Sequence, residues 1–178
     1  MDFVDVKEGQ SIHDKTFICG EYLQTYTNLY VIKSISKSYG VPGIRLGVLA
    51  SGDAKMIREI KQDVSIWNIN SFGEFYMQIM EKYSGQYETA LQEFRQCRLD
   101  FMQKLREIPF LDVCKTQANY VMCQVKDRES RALCCQLLRY NMLIKDISEK
   151  IGNGKQYVRI AIRTQEENEK LIQVLKEL

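Results

Sequence analysis

The chain has 178 residues, of which 45% are hydrophobic and 27% are charged, and it contains seven Phe, ten Tyr and two Pro. This composition excludes an intrinsically disordered chain and is typical of a globular protein that buries a core. The 25 basic and 23 acidic residues leave a formal charge of +2, which indicates neither a nucleic acid nor a membrane surface as partner. No apolar run approaches the roughly 20 residues of a membrane span, and residues 1–9 lack the hydrophobic core of a signal peptide. We therefore expect a soluble, cytoplasmic protein.

The six cysteines contain no C-x-x-C pair, and the sequence has one histidine, His13. This spacing matches no zinc motif, so we expect no bound metal. The cysteines are interpreted instead as small buried hydrophobic residues in a reducing compartment. His13 is expected in a surface loop, which leaves almost no candidate for the histidine base of a catalytic triad.

The first elements in chain order are two strands and a helix. A β-branched and aromatic run predicts a strand over residues 28–36, and Gly and Pro residues then predict a loop over residues 37–43. A second strand is predicted over residues 44–50. The Ser-Gly-Asp segment that follows is suited to cap a helix over residues 54–63.

Two amphipathic helices come next, with apolar residues at intervals of three and four. The first begins near Ser71 and includes Phe72 and Phe75, and the second covers residues 86–107 after an interruption at Ser84-Gly85. Aromatic residues at this spacing usually face the core, so we expect both stripes to be buried. Trp67, just before the first helix, is also expected in the core.

From Pro109 onward the sequence predicts a compact α+β unit, because proline ends the preceding helix and short strands alternate with helices. Its last helix begins with a capping box, T-Q-E-E, at residues 164–167. The predicted strands cover residues 112–115, 118–125, 143–147 and 157–162, and the predicted helices cover residues 130–141 and 166–178.

Residues 34–47 contain groups that suit an anion. Strand alternation would place Ser34 and Ser36 on one face, so that both hydroxyls could contact one oxyanion. The turn glycines could return Arg45 to the same pocket, where its guanidinium would bind a phosphate through two parallel bonds. Lys37 beside that phosphate would be placed to react with an aldehyde cofactor. On spacing alone, an ordinary solvated loop with a surface lysine explains these residues equally well.

The same segment resembles the lysine signature of fold-type I pyridoxal-phosphate enzymes of the class I and II aminotransferase group, approximately S/T-x-S-K-x-x-G-x-x-G-x-R-x-G. Residues 66–71 (I-W-N-I-N-S), 118–120 (A-N-Y) and 157–161 (Y-V-R-I-A) resemble segments of its histidinol-phosphate aminotransferase and threonine-phosphate decarboxylase branch. The similarity covers essentially the whole chain. Every fixed position of the signature is present: Ser34, Ser36, Lys37, Gly40, Gly43, Arg45 and Gly47.

The resemblance implies roles for the cofactor-binding residues. Lys37 would attach pyridoxal 5'-phosphate covalently and then move the proton at the α-carbon of the substrate. Ser34, Ser36 and Arg45 would hold the phosphate of the cofactor. Lys33 is a poorer candidate for the attachment, because it lacks the preceding serine and belongs to the other strand face.

The resemblance also implies roles in substrate binding. Arg159 would bind the α-carboxylate of the substrate as a bidentate pair. Asn119 would contact that carboxylate or the cofactor ring, although a hydrogen bond at the strand edge explains it equally well. Arg163 is a weaker candidate for the carboxylate, since it lies four residues farther on, where the strand gives way to the helix cap.

The fold implied by the resemblance is α/β and has two parts. Residues 1–83 would be the C-terminal remnant of the large, cofactor-binding domain, and residues 84–178 would be a connector helix with the small α+β C-terminal domain. Family members are about twice as long, and the opening M-D-F matches only the end of their D-E-S/A-F/Y-x-D/E-F motif. We therefore expect a C-terminal portion of a longer, homodimeric enzyme that is inactive by itself.

The activity implied by the resemblance is exchange of an amino group between an amino acid and a 2-oxo acid. An α-decarboxylase of the same branch would use the same residues with a different bond of the substrate held perpendicular to the cofactor ring. A non-catalytic α+β module that binds a partner is a third interpretation. Side-chain recognition depends largely on the other half of such enzymes, so the sequence does not name the substrate.

Overall fold

The computed structural model describes residues 16–178, so the surface loop predicted for His13 lies outside the described residues. The chain divides into two units, of which the first ends at Leu91 and the second comprises Gln92–Leu178. The sequence predicted two domains of a larger enzyme that meet between residues 83 and 84, and that assignment stays a prediction. None of the helices described is long and apolar enough to cross a membrane.

The first unit contains a two-stranded antiparallel sheet in which Tyr30 of one strand lies opposite Ser51 of the other. Its strands are shorter than predicted, because the chain leaves the first one for a helical turn and enters the second one only after another turn. The elements are α1 (Gly20–Thr25), β1 (Tyr30–Lys33), α2 (Ile35–Ser38), a 3-10 turn (Pro42–Ile44), β2 (Val48–Ser51), α3 (Ala54–Asp63), α4 (Ser71–Ile79), a second 3-10 turn (Met80–Tyr83) and the start of α5 (Ser84–Arg106).

Side-chain caps fix the starts of two helices in the first unit. The Asp53 carboxylate accepts a hydrogen bond from the Met56 amide at 2.9 Å, which confirms the predicted start of α3. The Asn70 side chain accepts one from the Gly73 amide at 2.9 Å and begins α4. The interruption predicted at Ser84-Gly85 is wrong, since α5 begins at Ser84 and the break lies one turn earlier, in the second 3-10 turn.

The aromatic residues around the start of α4 are exposed, which contradicts the expectation that they belong to the core. Phe72 is 81% exposed, Trp67 is 88% exposed, and Phe75 is also exposed. Among the described hydrophobic residues of the first unit, only Leu46 and Leu91 are buried. Helical periodicity defines an apolar face but does not supply the element that covers it, and none of residues 16–91 covers that face.

The second unit is built on a four-stranded antiparallel sheet in the order β3-β4-β6-β5. Each predicted strand and helix of this unit is present, and no end moves by more than three residues. A further short helix follows β5. The elements after α5 are β3 (Leu111–Val113), β4 (Tyr120–Val125), α6 (Ser130–Leu138), β5 (Lys145–Asp146), α7 (Ser148–Ile151), β6 (Gln156–Ala161) and α8 (Gln165–Glu177).

One face of this sheet forms a hydrophobic core with three helices. Alternate residues of β4 and β6, such as Val121 and Val158, are fully buried, whereas their neighbours face the other side. The core cluster takes Leu105 from α5, Leu137 from α6 and Leu175 from α8. The opposite face of the sheet is thereby left free for polar side chains. Together the helices and antiparallel sheets of the two units make a mixed α/β fold.

The predicted capping box of α8 is confirmed. Thr164 Oγ1 accepts a hydrogen bond from the Glu167 amide at 3.3 Å, and the Glu167 carboxylate accepts one from the Thr164 amide at 3.4 Å. The expectation of uniformly buried cysteines is wrong, because Cys123 is buried but Cys135 is exposed. Burial raises the pKa of the Cys123 thiol to about 12.

Candidate functional site

The predicted cofactor lysine lies on a short helical turn and not on a strand. β1 ends at Lys33, Ser34 takes the N-cap position with extended backbone, and Lys37 is the third residue of α2. Lys37 and Ser34 are both exposed. Because successive residues of a helix are about 100° apart, the argument that strand alternation places Ser34 and Ser36 on one face is wrong.

The Ser36 side chain is buried and is bonded to a segment ten residues away. Its hydroxyl donates to the Leu46 carbonyl oxygen at 3.1 Å and accepts from the Leu46 amide at 2.6 Å. The Ser36 amide also donates to the Leu46 carbonyl oxygen at 3.2 Å. The Ser36 hydroxyl, which sequence reasoning assigned to the cofactor phosphate, is therefore already hydrogen-bonded to the Leu46 backbone. These bonds also hold the neighbours Lys37 and Arg45 on two adjoining segments of backbone.

Arg45 adopts an uncommon backbone conformation between the 3-10 turn and β2. Its φ of 53° is in the left-handed region, which a residue with a side chain enters at some cost in energy. The side chain is exposed, and one guanidinium nitrogen lies 3.5 Å from the Pro42 carbonyl oxygen, a long contact that leaves the rest of the fork accessible. The structure therefore presents Arg45 as an exposed cation next to the lysine turn.

Two tyrosines hold the end of the lysine turn, and sequence reasoning missed both. The Tyr87 hydroxyl donates to the Ser38 carbonyl oxygen at 3.1 Å, and its ring stacks on Tyr39 with centroids 4.2 Å apart. The Tyr39 ring also contacts Tyr76 edge to face at 6.3 Å. No local sequence signal marks these contacts, because Tyr87 lies 49 residues after Ser38.

A cavity of about 600 Å³ lies beside this turn within the first unit. Ile35 of α2 and Tyr39, the residue that follows α2, line it together with Lys33, Tyr87 and other residues. Lys37 is not among the lining residues. The cavity therefore lies next to α2, but the Lys37 side chain does not line it.

The predicted substrate arginine lies on the exposed face of the second unit's sheet. Arg159 of β6 pairs with Met122 of β4 on one side and with Lys145 of β5 on the other. Its guanidinium lies 5.2 Å from the centroid of the Tyr120 ring, within the range of a cation–π contact. Lys145 therefore adds a second positive charge directly opposite Arg159 in the register, which favours binding of an anion at this edge of the sheet.

Lys145 is a functional candidate that sequence reasoning missed. The signal that identifies it is the β5–β6 register, which the sequence does not state. An open cavity of about 500 Å³ at this edge is lined by Arg159, Lys145, Asp146 and Leu143, among others. Burial tends to raise the pKa of Asp146, but hydrogen bonds from the Ser148 amide and hydroxyl outweigh it and lower that pKa.

The two remaining candidates near Arg159 have separate positions. Asn119 is exposed just before β4, and its carbonyl oxygen accepts a hydrogen bond from the Ile162 amide at 3.1 Å, as expected for a strand edge. Arg163 is engaged with Glu167, at 3.0 Å from Nε and 2.8 Å from Nη2. This pairing makes Arg163 a part of the helix cap, which agrees with its weaker candidacy for the substrate carboxylate.

The predicted site residues thus form two groups, one in each unit. Ser34, Lys37 and Arg45 are exposed around one turn of the first unit, and Arg159 with Lys145 is exposed on one sheet edge of the second. The described residues contain no group of three or more His, Cys, Asp or Glu side chains placed to hold a metal ion. An exposed amine, a guanidinium on an adjoining segment and a separate pair of cations are suited to hold a phosphorylated aldehyde and an anionic amino compound.

The chain is similar in sequence and in fold to known proteins. The family model "Aminotransferase class I and II" matches residues 13–175, so the chain belongs to that family. An L-serine phosphate decarboxylase from Sulfurospirillum multivorans is 31% identical over 157 residues, which are 86% of this chain and 40% of the relative. The family is one whose members normally use pyridoxal phosphate.

Two solved structures have the same fold over nearly the whole chain. A decarboxylase from Sulfurospirillum multivorans matches with a TM-score of 0.85 and 28% identity, over 99% of this chain and 49% of the other. A histidinol-phosphate aminotransferase from Clostridium acetobutylicum matches with a TM-score of 0.82 and 26% identity, over 96% of this chain and 49% of the other. The chain therefore spans about half the length of these relatives, or less.

Proposed function

We propose that this chain supplies the cofactor-binding lysine and the substrate-binding arginine of a pyridoxal-phosphate-dependent aminotransferase. Such an enzyme exchanges an amino group between an amino acid and a 2-oxo acid. The main support is the set of hydrogen bonds between Ser36 and Leu46, which holds exposed Lys37 and Arg45 on adjoining segments. The left-handed backbone of Arg45 adds support, because strained conformations concentrate at binding sites.

The residues of the first unit suit both the aldehyde and the phosphate of the cofactor. The Lys37 amine is suited to bond the aldehyde, and the Arg45 guanidinium, with the exposed Ser34 hydroxyl, is suited to bind the phosphate. Ser36 has a supporting role in this proposal, because its hydroxyl is bonded to Leu46. When bound, the cofactor supplies an electron sink for the α-carbon, and Lys37 then moves the proton at that carbon.

In the second unit, Arg159 is proposed to bind the α-carboxylate of the substrate. A planar guanidinium can form two parallel bonds with a carboxylate and so fixes its orientation. Lys145, opposite Arg159 in the sheet, adds a second positive charge at the same edge. Asn119 is proposed as an additional contact from the start of β4.

Decarboxylation of a phosphorylated amino acid is the second candidate function. The relative that is 31% identical is named an L-serine phosphate decarboxylase, and the aminotransferase of similar fold also has a phosphate in its substrate name. Arg159 and Lys145 together would suit a substrate with two anionic groups. Because the chain spans under half of these relatives, we propose that it binds cofactor weakly by itself and does not turn over substrate.

Absorbance spectra test this proposal. The chain is mixed with excess pyridoxal phosphate, and the band of the lysine-bound cofactor is measured for wild type, Lys37→Ala and the matched control Lys33→Ala. We expect the band in wild type and in Lys33→Ala and its loss in Lys37→Ala. Equal spectra for the two variants contradict the assignment of Lys37. Absence of the band both from this chain and from a longer form of the protein favours the non-catalytic interaction module.

Product analysis separates the two catalytic functions. A longer form of the protein that turns over O-phospho-L-serine with the cofactor would release carbon dioxide if it is a decarboxylase. An aminotransferase would instead require a 2-oxo acid as acceptor and convert it to the corresponding amino acid. A decarboxylase and an aminotransferase would give the same absorbance band from cofactor bound to Lys37, so only their products distinguish the two functions.

A further inference from the structure

The edge strand β5 is only two residues long, and it carries one of the two cations of the candidate substrate site. Its Lys145 lies opposite Arg159 of β6, and its Asp146 lies opposite Val158. A strand of this length makes few ladder hydrogen bonds, and an edge strand has a neighbour on one side only. The position of Lys145 therefore depends on contacts beyond the two paired residues.

The sheet ladder changes at the end of β5, where a side chain takes the place of a backbone acceptor. The Ile147 amide donates to the Tyr157 carbonyl oxygen at 3.0 Å, as in a hydrogen-bonded antiparallel pair. In a regular pair the Tyr157 amide would donate to the Ile147 carbonyl oxygen in return. That oxygen accepts instead from the Lys150 and Ile151 amides of α7. The Tyr157 amide donates to Ser148 Oγ at 2.9 Å, so Ser148 supplies the missing acceptor.

The same hydroxyl also binds the side chain of the β5 residue next to Lys145. Ser148 Oγ donates to Asp146 Oδ1 at 2.7 Å, and the Ser148 amide donates to the same oxygen at 2.9 Å. Hydrogen bonds to a carboxylate are shorter and stronger than those between neutral groups. One hydroxyl group thus joins the end of β5 to the backbone of β6.

A second serine holds Ser148 from below. Ser130 of α6 is fully buried, and its hydroxyl lies 2.8 Å from Ser148 Oγ, with either oxygen able to donate. The Ser130 hydroxyl also donates to the Gln156 side chain at 2.8 Å, and the Ser130 amide donates to it at 2.9 Å. Gln156 is the first residue of β6. Because these polar groups satisfy one another at a partly buried place, removing one of them leaves its partners without a hydrogen bond.

We propose that Ser148 is a positioning residue, whose hydroxyl fixes β5 against β6 and thereby holds Lys145 opposite Arg159. Ser148 does not line the cavity at this edge, so its effect on a ligand passes through Lys145. The consequence for ligand binding rests on the proposed function, in which Arg159 and Lys145 bind an anionic substrate. The arrangement of the two strands does not depend on that function.

Nuclear magnetic resonance tests the strand arrangement without a ligand. Asp146 and Val158 form the non-hydrogen-bonded pair of the ladder, so their α-protons lie close enough for a nuclear Overhauser effect. We expect Ser148→Ala to lose this effect and to speed exchange of the Tyr157 amide by roughly tenfold or more, because that amide loses its acceptor. Ser148→Thr keeps the hydroxyl and should restore both. Rapid exchange of the Tyr157 amide in wild type, or an unchanged Overhauser effect in Ser148→Ala, overturns the proposal.

Binding of O-phospho-L-serine tests whether Ser148 acts through Lys145. Isothermal titration compares wild type, Ser148→Ala, Lys145→Ala and the double variant. We expect each single variant to raise the dissociation constant about two- to fivefold, as for an exposed charge pair, and the double variant to raise it no further. Additive effects in the double variant overturn the proposal. A wild type that does not bind O-phospho-L-serine contradicts the proposed function instead, and the resonance measurements then decide the role of Ser148.

Thr164→Ala is the matched control for loss of stability. It removes a hydroxyl that accepts from the Glu167 amide at the start of α8, in the same unit but away from β5. Circular dichroism and urea unfolding are recorded for every variant. We expect Ser148→Ala and Thr164→Ala to lower the free energy of unfolding by similar amounts, and only Ser148→Ala to change the Overhauser effect, the Tyr157 exchange rate and the dissociation constant. Equal changes in the two variants would mean that general destabilisation is the cause and would overturn the proposal.

Discussion

The hydroxyl of Tyr87 donates a hydrogen bond to the Ser38 carbonyl oxygen at 3.1 Å, one residue after Lys37. The Tyr87 ring also stacks on Tyr39, so α5 contacts the end of the lysine turn through both a polar and an aromatic interaction. A four-residue helix has little stability of its own, because nucleating a helical turn is unfavourable. The position of Lys37 therefore depends on contacts made by residues far away in the sequence.

Tyr87→Phe tests this dependence, because it removes the hydroxyl and keeps the ring. We expect a loss of about 0.5–1.5 kcal/mol in the free energy of unfolding, as for a typical hydrogen bond, and faster amide exchange at Tyr39 and Val41. Urea unfolding and hydrogen exchange measure the two effects. Tyr83→Phe, at an exposed position, is the control, and equal exchange rates in the two variants would contradict the role of Tyr87.

Glu167 is expected to make the stability of the second unit depend on acid pH. Hydrogen bonds from Arg163, and then from Thr164, lower the pKa of Glu167 from 4.5 to about 2. A pKa that is depressed in the folded state stabilises the fold above the unfolded value, and this stability is lost as the pH falls through the folded value. The loss should therefore occur between about pH 4.5 and pH 2.

The measurement for this prediction is urea unfolding at several pH values in that window. Glu167→Gln should have a smaller dependence on pH than wild type, because the amide does not titrate. Glu177→Gln, at the other end of α8, is the control and should keep the wild-type slope. A Glu167→Gln slope equal to that of wild type would contradict the account of this cap.

The cysteines should react with alkylating reagents in an order set by burial. Cys135 is exposed, whereas Cys123 is buried in the core with its pKa raised to about 12, so it has almost no thiolate near neutral pH. Mass spectrometry after treatment with iodoacetamide at pH 8 should find Cys135 modified early and Cys123 modified only after unfolding. Rapid labelling of Cys123 in the folded chain is the outcome that would contradict the core assignment.

Parts of the fold that rest on local chemistry could be predicted from the sequence. The α8 capping box and the Asp53 cap of α3 depend on side chains three residues from their partners, and both are present. The lysine signature identified Lys37 and Arg45 through the resemblance. The two caps could be predicted because their deciding contacts lie within three residues of one another, whereas the roles of Lys37 and Arg45 stay predictions.

Features that depend on distant partners could not be predicted. The Ser36 hydroxyl is bonded to Leu46, which a strand pattern does not indicate. Lys145 becomes a neighbour of Arg159 only through the β5–β6 register. The exposure of Phe72 depends on whether another element packs against α4. The helical spacing of apolar residues shows which face of a helix is apolar, but not whether another element covers that face.

Arg159 is expected to dominate recognition of an anionic amino acid by the second unit. Charge-assisted hydrogen bonds are worth about 1.5–3 kcal/mol, so Arg159→Ala should weaken binding of O-phospho-L-serine by roughly ten- to more than a hundredfold. Arg159→Lys keeps the charge but loses the planar fork, and it should fail nearly as badly. Isothermal titration of the chain measures each dissociation constant.

Arg163→Gln is the matched control for this titration, because Arg163 is paired with Glu167. It should leave the dissociation constant unchanged. If Arg163→Gln loses binding while Arg159→Lys keeps it, the carboxylate contact belongs to Arg163 and the assignment of Arg159 is wrong.

The most direct test of the proposed function is reductive trapping of pyridoxal phosphate on the chain, followed by peptide mapping. Borohydride converts the bond between the cofactor and a lysine amine into a stable one, so mass spectrometry identifies the residue that carried it. The account predicts that Lys37 is labelled well before the other lysines as the cofactor concentration rises, and that Arg45→Gln shifts its labelling to higher concentrations. Labelling that appears first on Lys33, or equally on all exposed lysines, would contradict it.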